Sequence, residues 1–315
     1  MEAVSAQVSS VLVGFADQDS SDALEYAAQE AIRTSVPLRI LHAHSPDVFY
    51  PWGYGYPLPA GDMHMVEETA RNNAVSLLAD AAERVRDRHP GLQVITVLAI
   101  RSAAAALVRA SRGASTLVVG KRNRRGRHSS MGSVSLAVAA HAACPVVVVP
   151  SSAGRLAQGA EGAVAPTSAE RAPGQVVVGL EDSPECADAL GFAFAQATAR
   201  DTGLTVVHAW WVDPDVLSPA LISHWEAIRD TTPMGVDAAL APWKDRYPDV
   251  KVTVVIAHAE PMSALLAQAH DSELLVVGGR GRGGFASLML GSVSRKVLQH
   301  ADCPVAVVRR SHTSP

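Results

Sequence analysis

The chain has 315 residues, 48% hydrophobic and 18% charged, which is long for a single core and too apolar for disorder, so two folded domains are expected. A net charge of −4 gives no global field drawing the chain onto nucleic acid or an anionic membrane, and no apolar run approaches a membrane-spanning length. The opening residues lack a basic stretch followed by an apolar one, and the cysteines Cys144, Cys186 and Cys303 are too scattered for a disulfide framework, so a reducing, cytoplasmic setting is expected.

In the first half, apolar runs at Val11–Gly14, Leu38–His42, Val94–Ala99, Leu117–Gly120 and Val146–Val149 alternate with longer segments of helical period. Asp19 or Ser20 is placed to cap the first helix, and Ala23, Leu24, Ala27, Ala28, Ala31 and Ile32 make its apolar stripe. In the second half the runs are Val176–Gly179, Leu204–His208, Val252–Ala257, Leu274–Gly278 and Val305–Val308, with Ser183 placed to cap a helix opened by Pro184 and Glu185. Consecutive Val-rich runs suit strands covered on both faces, and strands separated by helices give parallel order. The predicted fold is α/β: two tandem doubly wound domains, each with a five-stranded parallel sheet flanked by helices.

The halves are copies. His141-Ala-Ala-Cys-Pro-Val146 returns as His300-Ala-Asp-Cys-Pro-Val305, an offset of 159. Leu117-Val-Val-Gly120 returns as Leu275-Val-Val-Gly278, Arg88-His-Pro90 as Arg246-Tyr-Pro248, and Gly132-Ser-Val-Ser135 as Gly291-Ser-Val-Ser294, all in the same order. Residues 151–173, rich in Ala, Gly, Ser and Pro, read as a linker between domains spanning 1–150 and 174–315.

Chemistry concentrates after the fourth strand of the second half, in Gly278-Gly-Arg280-Gly281-Arg282-Gly-Gly-Phe-Ala-Ser-Leu-Met-Leu-Gly291-Ser292-Val293-Ser294. Glycines let backbone approach a phosphate closely. Gly291, Ser292 and Val293 fall at a helix start, where unbonded N–H groups and the helix dipole favour an anion. Ser292 and Ser294 offer hydroxyl donors, and Arg280 and Arg282 offer charge. A flexible strand-to-helix turn is the plainer alternative.

The spacing Gly278-x2-Gly281-x9-Gly291-Ser292 resembles the ATP-binding signature of universal stress proteins, and the Cys-Pro turn into the last apolar strand is similar to that family as well. The resemblance implies ATP held across the ends of the first and fourth strands, and domains paired through their fifth strands as a homodimer or an intrachain pseudo-dimer. It also implies an acidic residue after the first strand, beside the nucleotide; Glu181, in Gly179-Leu-Glu-Asp-Ser183, stands where Asp is usual. The first half departs from the pattern: Asn123 replaces the second glycine, the loop is one residue shorter, and Ala16 falls at the acid's place, with Asp17 adjacent. Gly120, Gly132, Ser133 and Ser135 form a secondary set there. Lys121 to Arg127 crowds five basic residues, able to meet a phosphate or another anion such as RNA or an acidic protein, or simply to stay solvated.

Other signals are weaker. Gly279-x-Gly281-x-x-Gly284 matches the dinucleotide pattern but follows the fourth strand, and Gly120-Lys121 lacks the Ser/Thr and spaced glycine of a P-loop. His141 with Cys144, and His300 with Cys303, supply two metal-type ligands each and read as structural turns. His42 and His208 end equivalent strands, lining the cleft or terminating the strand. The aromatic stretch Tyr50–Pro59 and Trp210-Trp211 follow second strands, placed to cover an adenine, make a partner surface or pack on their own domain. No catalytic set and no metal site has committing spacing. The expected function is an ATP-binding stress-response regulator, with or without Mg2+, switching conformation or assembly for a regulatory protein partner still to be named; the alternatives are a slow ATPase or an assembly protein with incidental nucleotide binding.

Overall fold

The computed structural model describes residues 9–17, 20–45, 60–121, 132–151, 174–181, 184–211, 234–280 and 290–310. Gln18, Asp19, Ser183, Gly281, Arg282, the aromatic stretch 50–59, residues 122–127 of the basic run and residues 152–173 of the expected linker 151–173 lie outside them. The chain divides into two compact units, Met1–Gly154 and Arg155–Pro315.

In the first unit the elements are β1 (Val11–Gly14), α1 (Ser21–Arg33), β2 (Leu38–His44), α2 (Ala60–Arg88), β3 (Val94–Ile100), α3 (Ala103–Ala110), β4 (Thr116–Gly120), α4 (Ser133–His141) and β5 (Val146–Val149). The second unit holds β6 (Val176–Leu180), α5 (Pro184–Ala199), β7 (Leu204–Trp210), α6 (234–246), β8 (Val252–His258), α7 (Pro261–Ala269), β9 (Leu274–Gly278), α8 (Ser292–His300) and β10 (Val305–Val308). Strand order is β3-β2-β1-β4-β5 in the first unit and β8-β7-β6-β9-β10 in the second, with every pairing within a unit parallel. Order reverses between β1 and β4, and between β6 and β9. At such a reversal the connections leave in opposite directions and open a crevice beyond the carboxyl ends of the strands. Both units are therefore α/β and doubly wound, as the alternation of runs implied.

The core follows the Val-rich runs. Val11, Leu12, Leu117, Val118, Val176, Val178, Leu274 and Val276 are fully enclosed between helix layers, and α1 lays Ala23, Leu24, Ala27, Ala28 and Ala31 on the sheet. Three expectations change. β3 and β8 end the strand order of their units and are not covered on both faces, leaving Ile95, Ile100 and Ile256 exposed. Ile32 is 48% exposed while Glu30 is 1% exposed. At about 100° per residue, Ile32 turns past the edge of the arc that Glu30 completes, and Glu30 pairs with Arg33 at 3.7 Å. Ser20 stands at the N-cap of α1 without capping it; its hydroxyl accepts the Ala16 N–H at 3.2 Å and closes the β1–α1 loop instead.

Burial pushes the Cys144 thiol up to about 12, so it packs as a neutral group at ordinary pH. All three cysteines are buried, and none forms a disulfide. Among the described residues no helix is long and apolar enough to cross a membrane.

Candidate functional site

In the second unit, the pairing of Val176 with Leu274 and Val178 with Val276 brings the carboxyl ends of β6 and β9 side by side. Gly179 is a glycine because α7 packs against it: a Cβ there would stand 3.2 Å from Leu265 Cδ2. Two residues on, Glu181 turns its carboxylate toward the neighbouring strand end, with Oε1 4.0 Å from where a Cβ on Gly278 would stand. The acid and the first glycine of the loop thus share one edge.

Backbone and side-chain bonds hold both ends of that loop. Gly279 N–H donates to the Val308 carbonyl at 2.7 Å, and Gly291 N–H donates to the Gly279 carbonyl at 2.8 Å. The two ends of the glycine-rich loop are therefore joined, and α8 starts beside β9. Ser294, 5% exposed, donates its hydroxyl to the Gly278 carbonyl at 2.5 Å. The Ser294 proton is used inside the protein to moor the first turn of α8. Ser292 is exposed and Val293 half-buried.

Gly291 occupies the N-cap with φ −64° and ψ 153°; no side chain caps the helix and its first turn carries no acid. Among the described residues the first N–H groups of α8 therefore have no side-chain acceptor, and the helix dipole puts partial positive charge at the sheet edge. Arg280 is exposed next to them. Glu260 bonds Lys296 at 2.9 Å and Ser263 at 3.0 Å, tying α7 to α8; the Lys296 ammonium lowers the Glu260 carboxyl below its ordinary value.

The first unit repeats the frame with other chemistry. Lys121 N–H donates to Val149 O at 2.7 Å, Ser135 donates its hydroxyl to Gly120 O at 3.0 Å, and Gly132 caps α4 with φ −64° and ψ 148°. Ser133 opens α4 as Ser292 opens α8. Gly14 lies under α3, where a Cβ would be 2.9 Å from Leu107 Cδ1. In place of Glu181 stands Ala16, exposed like Asp17, and buried Lys121 takes the position of Gly279.

The Universal stress protein family model matches residues 8–150 and again 174–309. The chain belongs to the universal stress protein family. A universal stress protein of Mycolicibacterium smegmatis is 35% identical over 95% of this chain and 96% of its own. One from Mycobacterium tuberculosis is 32% identical over 96% of this chain and 97% of its own. A crystal structure of a universal stress protein from Archaeoglobus fulgidus has a TM-score of 0.60 at 19% identity, covering 96% of this chain and 97% of that one, and shares the fold.

In this universal stress protein, the structure brings Gly179, Glu181, Gly278, Gly291, Ser292 and Ser294 to one edge, with Arg280 beside them. Gly281 and Arg282 lie outside the described residues. His42 and His208 tie strands together: Nδ1–H of each donates to a carbonyl across the sheet, Phe15 O at 2.8 Å and Leu180 O at 3.0 Å. His300 Nδ1–H donates to Lys296 O at 2.8 Å within its own helix. Trp210 stacks on His258 at 4.1 Å between centroids, with Trp211 tilted against the same ring at 6.1 Å.

Sequence reasoning passed over two residues, His258 and Arg309. His258 is the register partner of Trp210, legible once the β7–β8 pairing is known. Arg309 lies over Gly279, where a Cβ would stand 2.6 Å from its Cγ. Aligning the repeats through the last strand, Pro150 against Arg309, is the signal that would have found it.

Proposed function

We propose that this universal stress protein is a regulatory ATP-binding protein whose second unit takes the nucleotide, with or without Mg2+, and whose conformation or assembly changes with occupancy. The observation that carries the reading is the row of Glu181, Gly278 and the uncapped start of α8 along one sheet edge. A carboxylate repels phosphate and accepts from hydroxyls, so the ribose belongs at Glu181 and the phosphates at Gly278, Gly291, Ser292 and Val293. Arg280, Gly281 and Arg282 supply further loop backbone and charge, and Ser294 holds the helix start in place. Mg2+ would be held chiefly by phosphates and water, with Glu181 as the nearby protein oxygen donor.

The first unit keeps Gly120, Gly132, Ser133 and Ser135 but has Ala16 for the acid, so it is the weaker site. Residues 151–173 link the two domains. Pairing through β5 and β10, as a homodimer or an intrachain pseudo-dimer, belongs to the same reading, as do a cytoplasmic setting and a regulatory protein partner. The test is sedimentation mass and amide-exchange protection with and without ATP and Mg2+. A ligand-dependent change in mass or in protection around α8 supports a switch; bound ATP with neither change contradicts it. Slow hydrolysis is the second reading, favoured by the Glu181 carboxylate beside Gly278; phosphate release that disappears in Glu181→Gln would establish it.

A further inference from the structure

Along the carboxyl edge of the second unit the strands run β6, β9, β10, about 4.8 Å apart. Glu181 follows β6, Gly278 ends β9, and Arg309 follows β10, opposite Gly279 by the register that pairs Val308 with Gly278. An acid stands at one end of this row and a guanidinium-bearing side chain at the other, roughly two strand spacings, or about 10 Å, away.

The Arg309 stem is seated there rather than merely near. A Cβ on Gly279 would lie 2.6 Å from Arg309 Cγ and 3.5 Å from Cδ, so the missing side chain of Gly279 is the space the arginine occupies. Gly279 O in turn accepts the Gly291 N–H at 2.8 Å, which sets the stem against the loop that leads to the uncapped start of α8. The first unit reverses the arrangement: Lys121 fills the glycine's place and Pro150 stands at the arginine's.

Resting on the proposed nucleotide site, we propose that Arg309 is a phosphate-binding residue that makes the second unit prefer nucleoside di- and triphosphates to monophosphates. With ribose at Glu181, a single phosphate is satisfied at Gly278 and the α8 start. A longer phosphate chain continues along the row toward β10, where a guanidinium meets two oxygens in its planar fork. Arg309 thus reads chain length, while Glu181 and the glycines read the part that all adenine nucleotides share.

The experiment is parallel calorimetric titration of ATP, ADP, AMP and cAMP into the full chain, wild type against Arg309→Gln and Gly279→Ala. Wild type is expected to bind ATP more tightly than AMP. Arg309→Gln is expected to weaken ATP roughly 10- to 100-fold, the range of one lost charge-assisted contact, with a much smaller loss for AMP. Gly279→Ala displaces the arginine stem and is expected to show the same selective loss. Equal ATP and AMP affinity in wild type, or an equal loss for both nucleotides in Arg309→Gln, overturns the proposal while leaving adenine-nucleotide binding intact. A wild-type chain that binds none of the four overturns the nucleotide reading and this inference with it.

Discussion

Removing the Ser294 hydroxyl separates two roles that a serine at a helix start can play. Ser294 is buried and spends its proton on the Gly278 carbonyl at 2.5 Å, whereas Ser292, two residues earlier, is exposed. Ser294→Ala leaves a half-buried carbonyl short of a partner, which costs about 1–2 kcal/mol where water regains only part of the bond. In a unit of this size that lowers the midpoint of thermal unfolding by roughly 3–6 °C. Ser292→Ala removes no internal bond and is expected to leave the midpoint within about 1 °C while weakening nucleotide binding. Tryptophan emission is a natural reporter, because Trp210, Trp211, Trp225 and Trp243 all lie in the second half and only Trp52 in the first. Ser135→Ala, which breaks the equivalent bond to Gly120 in the first unit, should leave that signal in place. A Ser294→Ala transition superimposed on wild type, or Ser292→Ala destabilising as much, would refute the mooring role.

Gly191 lies in α5 under the indole of Trp243, where a Cβ would meet Cη2 at 2.5 Å. Glycine to alanine inside a helix normally gains about 1 kcal/mol, but overpacking costs about 1–3 kcal/mol, so Gly191→Ala should be neutral to destabilising by urea unfolding. Adding Trp243→Leu should recover the helix gain; a stabilised single variant would contradict the packing. Glu25 accepts from Arg88, His89 and Gln29 at 3.0 Å each; burial raises its carboxyl, but these donors together hold it below its ordinary value. Because the folded value is depressed, its contribution is fully present above about pH 5 and disappears as pH falls through the folded value. Glu25→Gln should flatten that acid limb in pH-dependent unfolding, and an unchanged limb would count against the cluster.

The strands were legible because β1, β4, β5 and their repeats are short apolar runs punctuated by glycine and proline, and their ends fall within two residues of the expected ones. Position within the sheet was not, since Val94–Ile100 reads like Val146–Val149 although β3 ends its unit's strand order with Ile100 exposed. The Gly-Ser-Val-Ser motif announced a helix start, but two serines of one type face opposite ways because two helical steps turn about 200°. Ile32 failed for the same rotational reason. Arg309 escaped notice because it belongs to a different strand from the loop it packs against, and only the β9–β10 register places it there.

The most direct test of a nucleotide site in the second unit is calorimetric titration of ATP with Mg2+ into the nucleotide-stripped chain, alongside Glu181→Gln and a Gly281→Ala, Gly291→Ala double variant. One ATP per chain, weakened by the first change and lost in the second, is the predicted result. Two per chain would show that the Lys121-containing first unit also binds, and either no binding or binding indifferent to both variants would contradict the assignment.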